Sequence, residues 1–257
     1  MTGEPVSAEL NGAVGLARMN APDTRNALSP DLSEPLESVV EGWDADPAVN
    51  CIVIAGGDGY FAAGADVRGT SDHASDGRPA HPPASFWRRM ASCQTPLIAG
   101  VSGYALGGGF ELALLCDMVV ASETAELGQP EILLGIIPGG GATQRIARVA
   151  GRQRAMELIL TGRRIDAMEA LRLGLVTQVA PKKKWLDQTL ELAEVVARRP
   201  PLAVRLAKEA VRRSEELGLE AGLAEERRLH ELAMGSEDRG EGMRAFLEQR
   251  RPDFRGR

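Results

Sequence analysis

The spacing of apolar and polar positions along the chain predicts both strands and helices. Apolar and polar side chains alternate over 6–10 and 13–19, on either side of Asn11-Gly12, which predicts a β-hairpin. Short apolar runs predict three buried strands, at 51–55, 97–102 and 118–121. Apolar stripes at helical spacing follow these runs, so the pattern favours an α/β fold with mainly parallel strands.

The helical stripes carry signals for where helices begin. Ser29 is the expected N-cap of the first helix, with Pro30 at its first position and an apolar stripe that runs to Trp43. Asp166 and Glu169 form an expected capping pair at the start of another helix. Further helices are predicted at about 86–93, from 107 onwards, and at about 142–149, 151–160, 166–173, 185–198, 201–216, 219–234 and 238–249, with one more strand at 176–179.

Two features predict how the chain is divided. The composition changes at Pro200-Pro201, which indicates a boundary between an α/β core over 1–199 and a helical region over 200–257. Residues 69–85 are rich in Gly, Pro, Ser, Asp and His and show no periodicity, so they are predicted to form a long loop. Loops of that length are usually functional or mobile.

Composition narrows the classes of protein. The chain has 257 residues, 44% apolar and 26% charged, as in ordinary soluble globular proteins, and its net charge of −6 disfavours nucleic acid as a partner unless a local basic face exists. No apolar run approaches the roughly 18 residues of a membrane span, and the N-terminus lacks the features of a signal peptide. We therefore expect a cytoplasmic protein. The three cysteines are odd in number and widely spaced, which indicates buried thiols: Cys51, Cys93 and Cys116. The three histidines do not have the spacing of metal ligands: His73, His81 and His230.

The stretch from Gly103 to Gly141 holds the candidate chemistry. The triplet Gly107-Gly108-Gly109 is predicted to open a helix, where free N–H groups and the helix dipole can bind an anion or form an oxyanion hole. Close packing of helix against strand is the alternative explanation. A dinucleotide-binding Gly-x-Gly-x-x-Gly motif is excluded because Leu112 stands at its last position.

Two glutamates lie within this glycine-rich, apolar stretch. Glu111 has apolar neighbours on both sides, which leaves little room for the solvated, dipole-complementing role that such a carboxylate often has. Glu131 follows Gln129-Pro130, so it is either a helix-start carboxylate or a functional group. If both lie in one apolar cleft, repulsion and desolvation would raise at least one pKa and leave one acid and one base near neutral pH.

These residues resemble the motifs of the crotonase, or enoyl-CoA hydratase/isomerase, superfamily. The resemblance runs through nearly the whole chain and carries long, ordered motifs. The matching stretches are Asn26-Ala27-Leu28, Phe61 to Asp66, Gly103 to Ala113, Cys116-Asp117, Gly128 to Arg145, Leu160 to Gly162, Gly174 to Val176 and Glu241 to Glu248. The resemblance implies a spiral of ββα repeats with a helical C-terminal region that forms trimers, often paired into hexamers.

The resemblance also implies a reaction and the residues that perform it. Most similar are hydratases of trans-2-enoyl-CoA thioesters, which require no metal or redox cofactor. By position, the N–H groups of Ala65 and Gly108 would form the oxyanion hole for the thioester carbonyl. Glu111 would activate a water for attack at C3, Glu131 would deliver a proton to C2, and the N–H of Gly139 would approach the same water. The residues implied to contact coenzyme A are Ala63, Ala65, Asp66, Val67, Arg68 and Gly108.

Some positions depart from the family pattern, and other functions stay open. Arg68 stands where many relatives have Lys, so it either meets a coenzyme A phosphate or is a solvated surface residue. Gln249 stands where some hydratases have a coenzyme A-contacting Lys, and Arg250 or Arg251 would have to substitute for it. The runner-up activity is that of an enoyl-CoA isomerase or another acyl-CoA lyase. RNA binding through the lysines at 182–184 is disfavoured because the run is short and the chain is acidic. An inactive structural subunit is disfavoured because both glutamates are present.

Overall fold

The computed structural model describes residues 4–64 and 81–257. Within these residues the strands are β1 Val6–Asn11, β2 Val14–Met19, β3 Cys51–Ala55, β4 Tyr60–Ala62, β5 Leu97–Val101, β6 Tyr104–Leu106, β7 Met118–Ser122, β8 Glu126–Gly128, β9 Arg164–Asp166 and β10 Gln178–Ala180. The helices are α1 Pro30–Asp44, α2 Ala84–Ser92, α3 Gly108–Leu115, α4 Ala142–Ala150, α5 Arg152–Thr161, α6 Ala167–Arg172, α7 Trp185–Ala197, α8 Pro201–Arg213, α9 Leu219–Met234 and α10 Glu237–Leu247. Two 3₁₀ helices cover Pro22–Thr24 and Pro130–Leu134.

The larger sheet has six strands in the order β1-β2-β3-β5-β7-β10. The predicted hairpin is confirmed: β1 and β2 pair antiparallel around Gly12, which adopts a φ of 61°. Every other neighbouring pair in this sheet is parallel, as the buried apolar runs predict. All five residues of β3 and of β5 are buried, because this sheet is covered on both faces.

The smaller sheet, in the order β4-β6-β8-β9, was not predicted from the pattern of apolar residues. Its strands have three residues each, too short to show an alternation. β4, β6 and β8 run parallel to one another, and β9 closes the sheet antiparallel to β8. Successive strands of the chain thus pass from the larger sheet to the smaller one, which is the repeating course of a spiral.

Side chains from the two faces of the larger sheet enter two separate cores. Ile52 and Ile54 point to the core shared with α1, α2 and α3, whereas Val53 points to a second core covered by Trp185 of α7. This alternation follows from the two-residue repeat of a strand. Cys51, Cys93 and Cys116 are all buried free thiols, as expected, whereas His81 and His230 are exposed. His73 lies outside the described residues.

The region from 200 onwards consists of helices α8 to α10, as predicted, although the boundary at 199 itself stays a prediction. Lys208 of α8 joins this region to the core, since its Nζ lies 2.6 Å from Oδ2 of Asp117 and donates to the carbonyl oxygen of Thr95 at 2.9 Å. None of the described helices is long and apolar enough to cross a membrane.

Several local predictions are corrected by the structure. Ser29 occupies the N-cap position of α1, but its side chain makes no capping hydrogen bond. Asp166 does cap α6, where it accepts from the N–H of Glu169 at 2.6 Å. The strand expected at 176–179 instead covers Gln178–Ala180, because the preceding residues turn in from α6. The loop predicted over 69–85 lies largely outside the described residues, and α2 already begins at Ala84.

Candidate active site

The carboxyl ends of the parallel strands β4, β6 and β8 meet at one edge of the smaller sheet. Ala62 pairs with Ala105 and Leu106 with Gly128, so the residues that follow these strands lie close together. Ligand sites in α/β proteins gather at such edges. The strands that position these residues belong to the smaller sheet, which the pattern of apolar residues does not predict.

Glu111 is held in the first turn of α3 and is almost fully buried, with 3% of its surface exposed. Its Oε1 accepts two backbone hydrogen bonds, from the N–H of Gly140 at 2.7 Å and from the N–H of Ala142 at 3.0 Å. These two bonds satisfy the buried carboxylate, which would otherwise be strongly unfavourable in an apolar surrounding. Oε2 takes no part in these two bonds.

The glycine triplet bends the chain into α3 beside both carboxylates. Gly107 adopts a φ of 52°, a conformation that favours glycine, and a methyl group at its Cα would lie 3.1 Å from Oε1 of Glu131. Its N–H is not free, contrary to the expectation, because it donates to the carbonyl oxygen of Gly128 at 2.9 Å. Gly108 is the first residue of α3, so its N–H has no partner within the helix.

Glu131 lies in the 3₁₀ helix Pro130–Leu134 and is partly buried. Burial raises its pKa to about 7; the negative charge of Glu111 adds to this effect and the hydrogen bond from its own backbone N–H partly offsets it. Glu131 therefore titrates near neutral pH. An acid and a base that differ in environment are what acid–base catalysis needs.

Two neighbours of the glutamates were not singled out from the sequence. Gln129 is buried, and with its amide nitrogen turned toward Glu131 it donates to Oε1 at 2.9 Å and Oε2 at 3.1 Å. Trp87 of α2 walls the site, since a methyl group on Gly140 would lie 2.6 Å from its Cζ2. Neither residue has a recognisable spacing in the sequence, because each reaches the site through the fold.

The remaining predicted residues are distributed unevenly. Ala65, Asp66, Val67 and Arg68 lie outside the described residues. Ala63 is described and half-buried; its N–H donates to the carbonyl oxygen of Arg25 at 3.0 Å. The exposed Gly139 directly precedes Gly140, the residue whose N–H reaches Glu111.

Two other features lie away from the glutamates. Arg250 is bound to Glu241, with its Nη1 2.6 Å from Oε1, so that any contact with a phosphate would have to compete with this pair. A cavity of about 720 Å³ lies between the core and α8, and its lining includes Arg145 and Lys208 but neither Glu111 nor Glu131. Within the described residues, no group of three or more His, Cys, Asp or Glu side chains could hold a metal ion.

Comparison with known proteins identifies the family. The family model described as enoyl-CoA hydratase/isomerase matches residues 9–257. The chain belongs to this family. A probable enoyl-CoA hydratase of Rhizobium meliloti is 46% identical over 261 residues, covering 100% of both chains. The 2,3-dehydroadipyl-CoA hydratase of Escherichia coli is 45% identical over 247 residues, covering 94% of this chain and 95% of its relative.

Solved structures of this family share the fold. The crystal structure of an enoyl-CoA hydratase from Bacillus anthracis superposes with a TM-score of 0.92 at 36% identity, covering 98% of this chain and 100% of that one. The expected crotonase spiral with a helical C-terminal region is therefore confirmed. In this enoyl-CoA hydratase/isomerase family member, Glu111, Glu131 and Gly108 lie together at the end of the smaller sheet.

Proposed function

We propose that this chain is an enoyl-CoA hydratase that adds water across the C2=C3 bond of trans-2-enoyl-CoA thioesters to give 3-hydroxyacyl-CoA. The observation that carries the proposal is the pairing of two unlike glutamates beside one glycine turn. Glu111 is bound by two backbone N–H groups, whereas burial raises the pKa of Glu131 to about 7. The names of the relatives, hydratases at 43–46% identity, support the same activity.

The two carboxyl groups divide the work around one water. Oε2 of Glu111 accepts a proton from the water as its oxygen attacks C3, and the protonated form of Glu131 delivers a proton to C2 from the same side, which gives syn addition. In the reverse direction each group performs the opposite transfer. Gln129 holds Glu131 through its amide, and the N–H of Gly139 is proposed as a further donor to the water.

Polarisation of the thioester carbonyl is the second part of the mechanism. The N–H of Gly108, at the start of α3, is one proposed donor, aided by the positive end of the helix dipole. The N–H of Ala65 is the other proposed donor. Both would stabilise the negative charge that develops on the carbonyl oxygen as C3 is attacked. Ala63, Asp66, Val67 and Arg68 are proposed to contact the coenzyme A portion of the substrate.

Substitution of each glutamate tests this function. Glu111→Gln and Glu131→Gln are each expected to lower kcat for crotonyl-CoA hydration by about 10²–10⁴-fold, since each removes one proton-transfer group. The loss of the ultraviolet absorbance of the enoyl thioester measures the rate, and circular dichroism checks the fold. Gln replacement of the exposed Glu34 on α1 is the matched control. Near-wild-type turnover by either active-site variant would overturn the two-glutamate mechanism.

The same assay separates the activities open to this family. A hydratase consumes trans-2-enoyl-CoA and yields 3-hydroxyacyl-CoA, whereas an isomerase converts trans-3-enoyl-CoA without consuming water. Rates across enoyl-CoA chain lengths would define the acyl substrate and a role in fatty acid β-oxidation. Exclusive turnover of trans-3-enoyl-CoA would contradict the proposal.

We further propose that the chain acts as a cytoplasmic homotrimer or a hexamer formed by two trimers. Large apolar side chains are exposed on the C-terminal helices, where Leu219, Phe246 and Leu247 are each at least 80% exposed. Such surfaces are typical of protein interfaces. Light scattering coupled to size-exclusion chromatography distinguishes these states, and a stable monomer at micromolar concentration would refute the proposal.

A further inference from the structure

One arginine touches the backbone turn that supports Glu111. Arg145, in the first turn of α4, donates from Nη1 to the carbonyl oxygen of Gly140 at 2.9 Å. In the chain this carbonyl stands between the N–H groups of Gly140 and Ala142, the two groups that bind Oε1 of Glu111. The guanidinium of Arg145 thus binds the middle of the turn, and the N–H groups on either side of that carbonyl bind Glu111, the proposed catalytic base.

The turn is shaped to receive this guanidinium. Gly141 adopts a φ of 113°, a conformation that side chains other than glycine rarely tolerate, and a methyl group there would lie 2.2 Å from Nη1 of Arg145. The N–H of Arg145 also closes the first helical bond, to the carbonyl oxygen of Gly141 at 3.0 Å. Glycine at 141 therefore leaves space for the arginine, and the arginine in turn holds the glycine backbone.

The surroundings of Arg145 are unusual for an arginine. Its side chain is half-buried, and burial lowers its pKa, while the negative charges of Glu215 and Glu111 act in the opposite direction. Arg148 lies one turn later on the same helix, where it is exposed and donates to the carbonyl oxygen of Gln144 at 3.2 Å. Burial of part of a cationic side chain costs free energy unless hydrogen bonds or opposite charges replace the lost water.

We propose that Arg145 is a positioning residue for Glu111: it fixes the turn from 139 to 142 so that both N–H donors meet Oε1 and Oε2 faces the water. The inference rests on the proposed hydratase function. Arg145 acts through the backbone and takes no part in proton transfer. Loss of its bond would let the turn move and misplace the carboxylate, and errors of about 1 Å can lower turnover by about 10²-fold.

The first experiment compares Arg145→Met with Arg148→Met. Arg145→Met is expected to lower kcat for crotonyl-CoA by about 10–100-fold with KM changed less than about threefold, because the proposal gives Arg145 no contact with the substrate. Arg145→Lys restores an amine donor and is expected to recover part of the rate, and Arg148→Met leaves the rate unchanged. Equal rates for Arg145→Met and Arg148→Met would overturn the proposal.

A double-mutant cycle separates positioning from general damage. If Arg145 acts through Glu111, Arg145→Met lowers the residual rate of the Glu111→Gln variant less than about threefold. A purely structural role predicts the full 10–100-fold loss in both backgrounds, and that result would refute the proposal.

Hydrogen exchange tests the inference without any activity. Mass spectrometry of a peptide that covers 137–145 is expected to show faster exchange in Arg145→Met, because the N–H groups of Gly140 and Ala142 lose a fixed acceptor. Arg148→Met serves as the control, and thermal unfolding checks the fold of each variant. Unchanged exchange would overturn the positioning role even in an active hydratase. Faster exchange in a protein without hydratase activity would refute the proposed function alone.

Discussion

The raised pKa of Glu131 makes folding stability depend on pH in a way that one substitution can isolate. Burial moves this pKa from 4.5 to about 7. Between these values the folded protein binds a proton that the unfolded chain has released. The contribution of Glu131 to stability is therefore fully present below pH 4.5 and is lost as the pH rises through 7. The glutamine in Glu131→Gln does not titrate, so the free energy of unfolding of this variant does not show this decrease with rising pH.

The size of the effect follows from the same values. A rise from 4.5 to about 7 corresponds to about 3 kcal/mol at 1.36 kcal/mol per pH unit. Since Glu131 is only partly buried, solvent screening reduces this figure. We expect the free energy of unfolding of Glu131→Gln, relative to the unsubstituted protein, to increase by about 1–2 kcal/mol between pH 5 and pH 8.5.

Urea denaturation at pH 5, 6, 7, 8 and 8.5 measures this difference. The protein concentration is held constant, because an oligomer unfolds in a concentration-dependent manner. Glu34→Gln, on the exposed face of α1, corrects for the effect of replacing a surface carboxyl group. If the difference in free energy of unfolding between Glu131→Gln and the unsubstituted protein stays constant from pH 5 to 8.5, burial does not raise the pKa of Glu131.

Three further predictions follow from the same geometry. The value of kcat/KM for crotonyl-CoA should fall above an apparent pKa of about 7, because ionised Glu131 cannot donate a proton; a pH–rate profile without this decline would refute the assignment of the acid. Gly140→Ala should nearly abolish hydration, since its methyl group would lie 2.8 Å from Oε2 of Glu111 and 2.6 Å from Trp87, whereas Gly42→Ala, with no described atom within 4 Å of the new methyl group, should retain full activity in the same assay. Lys208→Met should lower the free energy of unfolding by about 1–2 kcal/mol, because the carbonyl oxygen of Thr95 loses a donor and Asp117 keeps only the N–H of Leu97 after losing the ammonium at 2.6 Å; urea denaturation showing less than 0.5 kcal/mol would contradict this.

Patterns of apolar residues reveal the elements that bury whole faces, and they fail where an element is too short. The hairpin, the strands beginning at Cys51 and Leu97, and most helices were predictable because each carries at least five residues of a regular pattern. The smaller sheet was not, since three residues such as Tyr104–Leu106 cannot establish an alternation. That sheet nevertheless determines where the functional residues meet.

Some residues of the candidate site can be recognised from their neighbours in the sequence, whereas others can be recognised only from contacts across the fold. Glu111 and Glu131 stand out in the sequence because carboxylates are rare among apolar neighbours. Gln129, Trp87 and Arg145 carry no such signal, because an amide, an indole and a guanidinium are ordinary at partly exposed positions. Their importance depends on distances across the fold, such as the 2.9 Å between Arg145 and the Gly140 carbonyl.

The triplet Gly107-Gly108-Gly109 shows why the two explanations of these glycines do not compete. Gly109 serves packing, since a methyl group there would lie 2.2 Å from the carbonyl oxygen of Ala62. Gly107 serves the turn, with its positive φ and its closeness to Glu131. Among the described residues, a methyl group on Gly108 would meet Leu28 and Trp87, at 3.6 and 4.0 Å. Packing against these residues does not require glycine at 108, which agrees with the proposed role of its N–H as a donor to the thioester carbonyl.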